Sequence, residues 1–100
     1  PFMKMIRRAI RERNVLSLVY EDAAGGLSER RVRPLAIWAF TDGWLFAAWC
    51  ELRKDFRAFR LDRISAIEEA DETFPDDPNQ NLQAYLASKI FAVETRRRNA

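Results

Sequence analysis

The chain has 100 residues, of which 48% are hydrophobic and 32% are charged, a composition typical of a single globular domain. It contains no histidine and one cysteine, Cys50, which excludes imidazole catalysis, histidine-ligated zinc, paired-cysteine metal sites and an internal disulfide. The formal net charge is only +2, but residues 1–60 hold 12 Lys or Arg against 7 Asp or Glu, while residues 61–95 hold 2 against 8.

Fourteen of the 17 basic residues are arginine, whose planar guanidinium suits phosphate and carboxylate recognition. Such a basic half either faces an anionic partner or is ordinary solvated surface, and charge alone favours the second interpretation. No apolar run approaches the roughly 20 residues of a membrane span, and no signal peptide opens the chain. We therefore expect a cytoplasmic protein without a membrane partner.

Residues 2–13 are predicted to form a helix that ends near Asn14. Apolar side chains recur on one face at intervals of three and four residues, namely Phe2, Ile6, Ala9 and Ile10. A second face carries a basic ridge formed by Lys4, Arg7, Arg8 and Arg11. The ridge either follows a phosphate backbone or is the solvent side of a surface helix, and the second is favoured because charge runs usually face water.

From Val15 the apolar period changes to two, which predicts a strand ending near Tyr20. The segment 23–26 ends in two glycines and predicts a hairpin turn. A return strand follows over residues 27–40, in which Pro34 indicates an edge position, a bulge or a bend.

A second tight turn at 41–43 leads into the apolar strand 44–50, which is expected to be the most buried. After a polar loop, strand 56–61, a one-turn connector at 62–64 and a last strand over 64–72 are predicted. A series of short strands joined by turns indicates a mainly β fold, a small antiparallel barrel with flanking helices.

The segment 73–81 is a linker containing two prolines, and Asn79 or Asn81 is suited to cap a final helix. An apolar stripe on this helix comprises Leu82, Tyr85, Leu86, Ile90 and Val93. The stripe has to pack on its own barrel, on a second copy through residues 82–93, or on another domain. The predicted division is a barrel domain with its N-terminal helix over 1–75, then a linker, helix and basic tail over 76–100.

Three segments together resemble the WYL domain of bacterial transcriptional regulators, the YafY-like group, over about residues 5–75. The most specific is Arg57–x–Phe59–Arg60–Leu61–Asp62–Arg63–Ile64, and the others are Arg31–Val32–Arg33–Pro34 and the Trp44 strand. The naming motif Trp-Tyr-Leu is replaced by Trp44–Leu45–Phe46, so the tyrosine hydroxyl is missing.

The resemblance implies an Sm-like or SH3-type five-stranded barrel preceded by a helix. It also implies an effector-sensing role, with a nucleotide or single-stranded nucleic acid as the anionic ligand. The DNA-binding helix-turn-helix domain of such a regulator would lie outside this chain, since one helix of about a dozen residues cannot form that motif. The start at Pro1 rather than methionine is consistent with a piece of a longer protein.

Alternation over 57–63 predicts that Arg57, Phe59 and Leu61 share one face of a strand and that Arg60 lies on the other. We expect arginines from separate strands to meet at one rim of the barrel, where they would bind phosphate while aromatic side chains stack on a base. The candidate ligand-binding residues are Tyr20, Arg31, Arg33, Trp44, Arg53, Arg57, Phe59, Arg60 and Arg63.

The structural alternative pairs Asp62 with Arg60 or Arg63 and places the aromatic side chains in the core, which is the favoured interpretation for Trp44. The competing function is a protein-protein interaction or dimerisation module without a ligand. No nucleophile–base pair or carboxylate pair supports an enzyme, and neither a metal nor another cofactor is expected.

Overall fold

A computed structural model describes residues 2–99 and the side-chain surroundings of residues 2–90. The elements in chain order are α1 (Met3–Glu12), β1 (Asn14–Glu21), β2 (Leu27–Phe40), β3 (Gly43–Cys50), β4 (Asp55–Arg60), a single 3₁₀ turn η1 (Leu61–Arg63), β5 (Ile64–Thr73) and α2 (Leu82–Asn99).

The five strands form one antiparallel sheet in the order β4-β3-β2-β1-β5. The prediction of a mainly β fold with a helix at each end is therefore confirmed. The barrel-like shape is loose because the sheet is not closed: β4 and β5 are its two edge strands, and η1 is the direct chain connection between them. Exposed charged side chains along both edges, such as Arg57 and Glu68, protect the sheet against edge-to-edge pairing.

The helix α1 covers one face of the sheet because Ile6 and Ala9 point inward and are fully buried. They pack against alternate residues of the strands, and the buried members of this core are Ile6, Ala9, Leu16, Leu18, Val32, Phe46, Ala48, Cys50, Phe59 and Ile64. The helix ends one residue earlier than expected: Arg13 takes the left-handed conformation (φ 54°) and Asn14 already belongs to β1. We refer to this face of the sheet as the α1 face.

The long strand β2 contains a bulge directly after Pro34, one of the three positions that the proline indicated. Pro34 lies opposite Ala48 and Ala36 lies opposite Ala47, so that Leu35 is an extra residue. The first half of β2 pairs with β1, and the strand also pairs with β3 from Val32 onward.

The second helix, α2, begins on the opposite side of the sheet, which we call the α2 face. Asn81 is its cap: the side-chain oxygen accepts a hydrogen bond of 2.9 Å from the backbone N–H of Ala84. Tyr85 is 7% exposed and packs against Trp38 and Phe56, with ring centroids 6.4 and 5.6 Å away. The predicted basic tail and Val93 lie outside the described side chains. Neither helix, over the residues described, is long and apolar enough to cross a membrane.

Candidate functional site

The register of the sheet separates the arginines that were expected to meet at one rim. Arg33 lies opposite Trp49 near the end of β3, whereas Arg60 lies opposite Leu45 near its beginning. At about 3.3 Å per strand residue, these two positions are roughly 13 Å apart along β3. The structure therefore does not bring Arg31 and Arg33 together with Arg60 and Arg63.

Arg31 and Arg33 form one group, in which Glu51 lies between them. The Nε atoms of the two arginines are 3.2 and 3.1 Å from the two carboxylate oxygens of Glu51. Arg31 also pairs with Glu72, and Nη1 of Arg33 donates a hydrogen bond of 2.7 Å to the Gln80 side chain. These arginines are thus already bound to acceptors of the protein itself.

An open groove of about 440 Å³ lies beside Arg31 and is lined by Arg33, Trp49, Glu51, Lys54, Glu72 and Gln80. We call it the Glu51 groove. Glu51 and Gln80 do not stand out in local sequence patterns because their arginine partners lie 18 to 47 residues away in the chain. One feature of the sequence does point to Glu51: it directly follows the apolar strand 44–50. A residue at that position lies beside the neighbouring strand of a sheet, where a basic side chain of that strand can pair with it.

At the other end of β3, the structure brings together five of the nine candidates. They are Tyr20, Trp44, Phe59, Arg60 and Arg63, which lie on β1, β3, β4 and η1. The Tyr20 hydroxyl accepts a hydrogen bond of 3.0 Å from the backbone N–H of Arg60 and so joins β1 to the end of β4. This contact holds the start of η1 against the sheet.

Phe59 is a core residue of this end of the sheet. It is 4% exposed, its ring lies 5.3 Å from that of Phe46, and Tyr20 packs edge-on against it at 5.0 Å. The ring faces of Phe59 are therefore occupied by protein, and Tyr20 has its hydroxyl engaged. Phe59 therefore offers no free surface on which a base could stack, whereas Tyr20 is partly exposed.

Trp44 differs, since 39% of it is exposed and it lines an open cleft of about 480 Å³. We call this the η1 cleft, and its lining residues are Phe2, Met3, Gly43, Trp44, Leu61 and Asp62. The prediction that Trp44 belongs to the core is thus only half correct. The following residue, Leu45, belongs to the α2 face, so replacement of the family tyrosine there leaves the lining of the η1 cleft unchanged.

Asp62 lines the η1 cleft, and Arg60 and Arg63 lie beside Asp62 without lining the cleft themselves. Arg60 donates two hydrogen bonds to the Asp62 carboxylate, of 3.0 and 2.8 Å, and its guanidinium carbon lies 5.1 Å from the centre of the Phe40 ring. The hydrogen bonds from Arg60 lower the pKa of Asp62, and the charges of Arg60 and Arg63 act in the same direction, while desolvation opposes them. The three groups together carry one net positive charge.

The remaining two candidates join neither group. Arg57 is exposed on the α1 face of the edge strand β4, opposite Ala48. Arg53 is exposed in the turn between β3 and β4. Among the residues that the structure describes, no group of three or more His, Cys, Asp or Glu side chains is placed to hold a metal ion.

The resemblance implied a five-stranded barrel preceded by a helix, and the structure has a helix packed on a five-stranded antiparallel sheet that is not closed. The family comparison agrees: the WYL domain family matches residues 1–69, and the chain belongs to this family. A solved structure, the proteasome accessory factor B/C (PafBC) of Arthrobacter aurescens, superposes with a TM-score of 0.67 and 33% sequence identity. The match covers 71% of this chain but only 11% of that protein.

Proposed function

We propose that this chain is the effector-sensing domain of a bacterial transcriptional regulator of the YafY-like group. We propose further that it binds a nucleotide or single-stranded nucleic acid in the η1 cleft. Membership of the WYL family and the likeness to PafBC support a regulatory domain of a transcriptional regulator. In this proposal the domain is cytoplasmic and non-enzymatic, and a helix-turn-helix domain outside this chain contacts the DNA.

The observation that carries the proposal is an exposed tryptophan in a largely apolar cleft, next to a group of charged side chains, Arg60, Asp62 and Arg63, that carries one net positive charge. Trp44 offers a ring face, and stacking of a base on an aromatic side chain contributes about 1–3 kcal/mol. Arg60 and Arg63 supply guanidinium groups for a phosphate beside the cleft, where a charge-assisted hydrogen bond is about twice as strong as a neutral one. The two kinds of group match the two parts of a nucleotide.

Asp62 has a particular role in this proposal because it already occupies the donors of Arg60. A phosphate has to replace or share the hydrogen bonds of 3.0 and 2.8 Å between these two residues. A simple anion gains little binding free energy from that exchange, because it only replaces one charged acceptor with another. A ligand that also stacks on Trp44 gains binding free energy from the stacking contact as well. Asp62 thereby favours ligands that combine an aromatic base with a phosphate.

The Glu51 groove is less suited to this task, since its two arginines share one carboxylate and Arg33 is 22% exposed. For Arg31, Arg33, Arg53 and Arg57, direct ligand contact stays a prediction.

The test is a fluorescence titration with an oligothymidylate of about 12 nucleotides, a length within the range that small single-strand-binding folds cover. Binding is measured at about 50 and 200 mM salt in the parent chain and in the double variant Arg60→Gln/Arg63→Gln. Loss of two phosphate contacts should reduce the magnitude of the logarithmic salt slope by about 1.4.

The matched control is Lys54→Asn/Lys89→Gln, which removes the same charge at two exposed positions away from the η1 cleft. Equal weakening by both double variants would show that only net charge matters and would contradict a site in the η1 cleft. The variant Trp44→Phe assigns the fluorescence signal, because Trp38 and Trp49 remain in place.

The alternative function, an interaction or dimerisation module, has one specific observation in its favour. Leu82, Leu86 and Ile90 recur every four residues along α2 and are 36%, 49% and 60% exposed, while Tyr85 is the one buried member of this stripe among residues 2–90. Light scattering of the full chain and of a chain truncated at Asp77 tests it. A dimer that becomes a monomer on truncation supports the module, and a monomer in both cases contradicts it.

A further inference from the structure

The basic ridge of α1 remains exposed in the folded chain. Lys4, Arg7 and Arg11 are exposed on the side of the helix opposite the buried Ile6 and Ala9. Among the described side chains, no ion pair joins these three cations to an acid. The fourth member of the ridge, Arg8, instead binds Glu69 of β5.

The spacing of the ridge places like charges next to each other. Lys4 precedes Arg8 by four residues and Arg7 precedes Arg11 by four, and like-charge pairs at this spacing destabilise a helix. Lys4 also lies in the first turn, where the helix dipole disfavours a cation, and that turn contains no acid. An ordinary solvated helix face would mix charges of both signs, so this arrangement indicates a partner that supplies closely spaced negative charges.

The ridge begins where the η1 cleft ends. Phe2 and Met3, which line the cleft, directly precede Lys4, and the ridge runs from there to Arg11. Seven residues of α-helix correspond to about 10.5 Å. That length suits a short run of backbone phosphates rather than a single one.

We propose that the ridge of Lys4, Arg7 and Arg11 binds the phosphate backbone of a single-stranded nucleic acid whose base occupies the η1 cleft. This inference rests on the proposed function and narrows its ligand to an oligonucleotide. A mononucleotide reaches only the cleft, whereas a longer strand continues along α1. The domain then binds single strands of several nucleotides more tightly than free mononucleotides.

The experiment compares two probes, thymidine 5′-monophosphate and an oligothymidylate of about 12 nucleotides. Both are titrated against the parent chain, the ridge variant Arg7→Gln/Arg11→Gln and the control Lys54→Asn/Lys89→Gln, which loses the same charge at two exposed positions outside α1 and the η1 cleft. Asparagine is used at position 54 because Lys54 has a φ of 52° and asparagine tolerates this conformation.

In the ridge variant, the oligonucleotide should bind roughly three- to tenfold more weakly, and its salt slope should fall in magnitude by about 1.4, while the mononucleotide affinity stays unchanged. The control variant should leave both affinities close to those of the parent. Equal oligonucleotide affinity in the parent and the ridge variant would overturn the inference, as would equal weakening in the control. If the oligonucleotide does not bind the parent at all, the inference and the proposed function both fail.

The two proposals can fail separately. Oligonucleotide binding that depends on the ridge but not on Trp44, Arg60 or Arg63 would retain the ridge and overturn the η1 cleft. Thermal unfolding adds a second readout in the single variant Arg7→Gln, which removes the like-charge neighbour of Arg11 and keeps Arg11 in the last turn of α1: the Tm of the ligand-free chain should rise by about 1–3 °C. A ridge that only stabilises the fold would give a lower Tm instead.

Discussion

The two ends of β3 carry similar numbers of arginines and differ in what surrounds them. At the Glu51 groove, Arg31 and Arg33 share a half-buried carboxylate, and Gln80 of the linker binds Arg33 as well. At the η1 cleft, the partly exposed Trp44 is accompanied by Arg60, Asp62 and Arg63, which together carry one net positive charge. A cluster of arginines therefore indicates a binding site only if nearby carboxylates do not already pair with the guanidinium groups and if an open surface lies next to the cluster.

The largest expected effect concerns the aromatic side chains behind the η1 cleft. Phe59→Ala should destabilise the domain by about 3–5 kcal/mol, because a buried ring packed against Tyr20 and Phe46 is lost. Urea unfolding followed by circular dichroism measures this. A loss below about 1 kcal/mol would mean that Phe59 is more accessible than the structure shows and would return it to the list of stacking candidates.

At the same end of β3, the variant Trp44→Ala should distinguish an effect on ligand stacking from an effect on the stability of the fold. Because Trp44 is 39% exposed, we expect about 1–3 kcal/mol of lost stability, less than for the buried Phe59. Oligonucleotide binding should weaken by about 1–3 kcal/mol, the usual contribution of one stacked base. Fluorescence anisotropy with a labelled oligonucleotide checks the affinity, and unaltered affinity would remove Trp44 from the site.

At the opposite end, Glu51→Gln should affect stability and spare binding. Arg31 and Arg33 would lose their shared carboxylate, and we expect a cost of about 1–2 kcal/mol. The affinity for an oligonucleotide should stay within twofold of the parent, a small change by any measure. A marked gain in affinity would show that Glu51 had been masking a second anion site, and the contrast between the two ends would disappear.

The smallest effect is expected for Asp62→Asn, which frees the donors of Arg60 for a phosphate. Affinity at neutral pH should rise a few-fold, since the ligand no longer competes with a charged acceptor. Because the folded-state pKa of Asp62 is lowered, the stability from its pair with Arg60 is present above the ordinary aspartate range and is lost as the pH falls below it. Thermal melts between about pH 7 and pH 2 should show a smaller acid loss in Asp62→Asn than in the parent.

Local patterns in the sequence predicted the elements well, because helices and hairpins depend on neighbouring residues. The change of period after Asn14 marked β1, and Pro34 marked the bulge. The pairing of Asp62 with Arg60, two residues apart, was also within reach and is confirmed.

Contacts that depend on how distant strands align with each other could not be predicted from local sequence patterns. The position of Arg33 opposite Trp49 depends on where β2 and β3 align, and its bond to Gln80 depends on how the linker returns over the sheet. The expected meeting of Arg31 with Arg60 failed for the same reason. Tyr85 of α2 packs against Phe56 of the sheet, while Leu86 and Ile90 of the same helix stay exposed. This difference likewise depends on packing, which the periodicity of the sequence does not specify.

The extra residue in β2 has a consequence for how this domain tolerates changes in length. Pairing resumes with Ala36 opposite Ala47, directly after Pro34 opposite Ala48, so deletion of Leu35 would leave each later side chain on its present side of the sheet. Removing any single residue from the paired stretch 36–40 would instead shift the residues before or after it to the wrong side. Leu35 is thus the position where a shortened β2 retains its alternation and loses mainly the local bend that a bulge imposes.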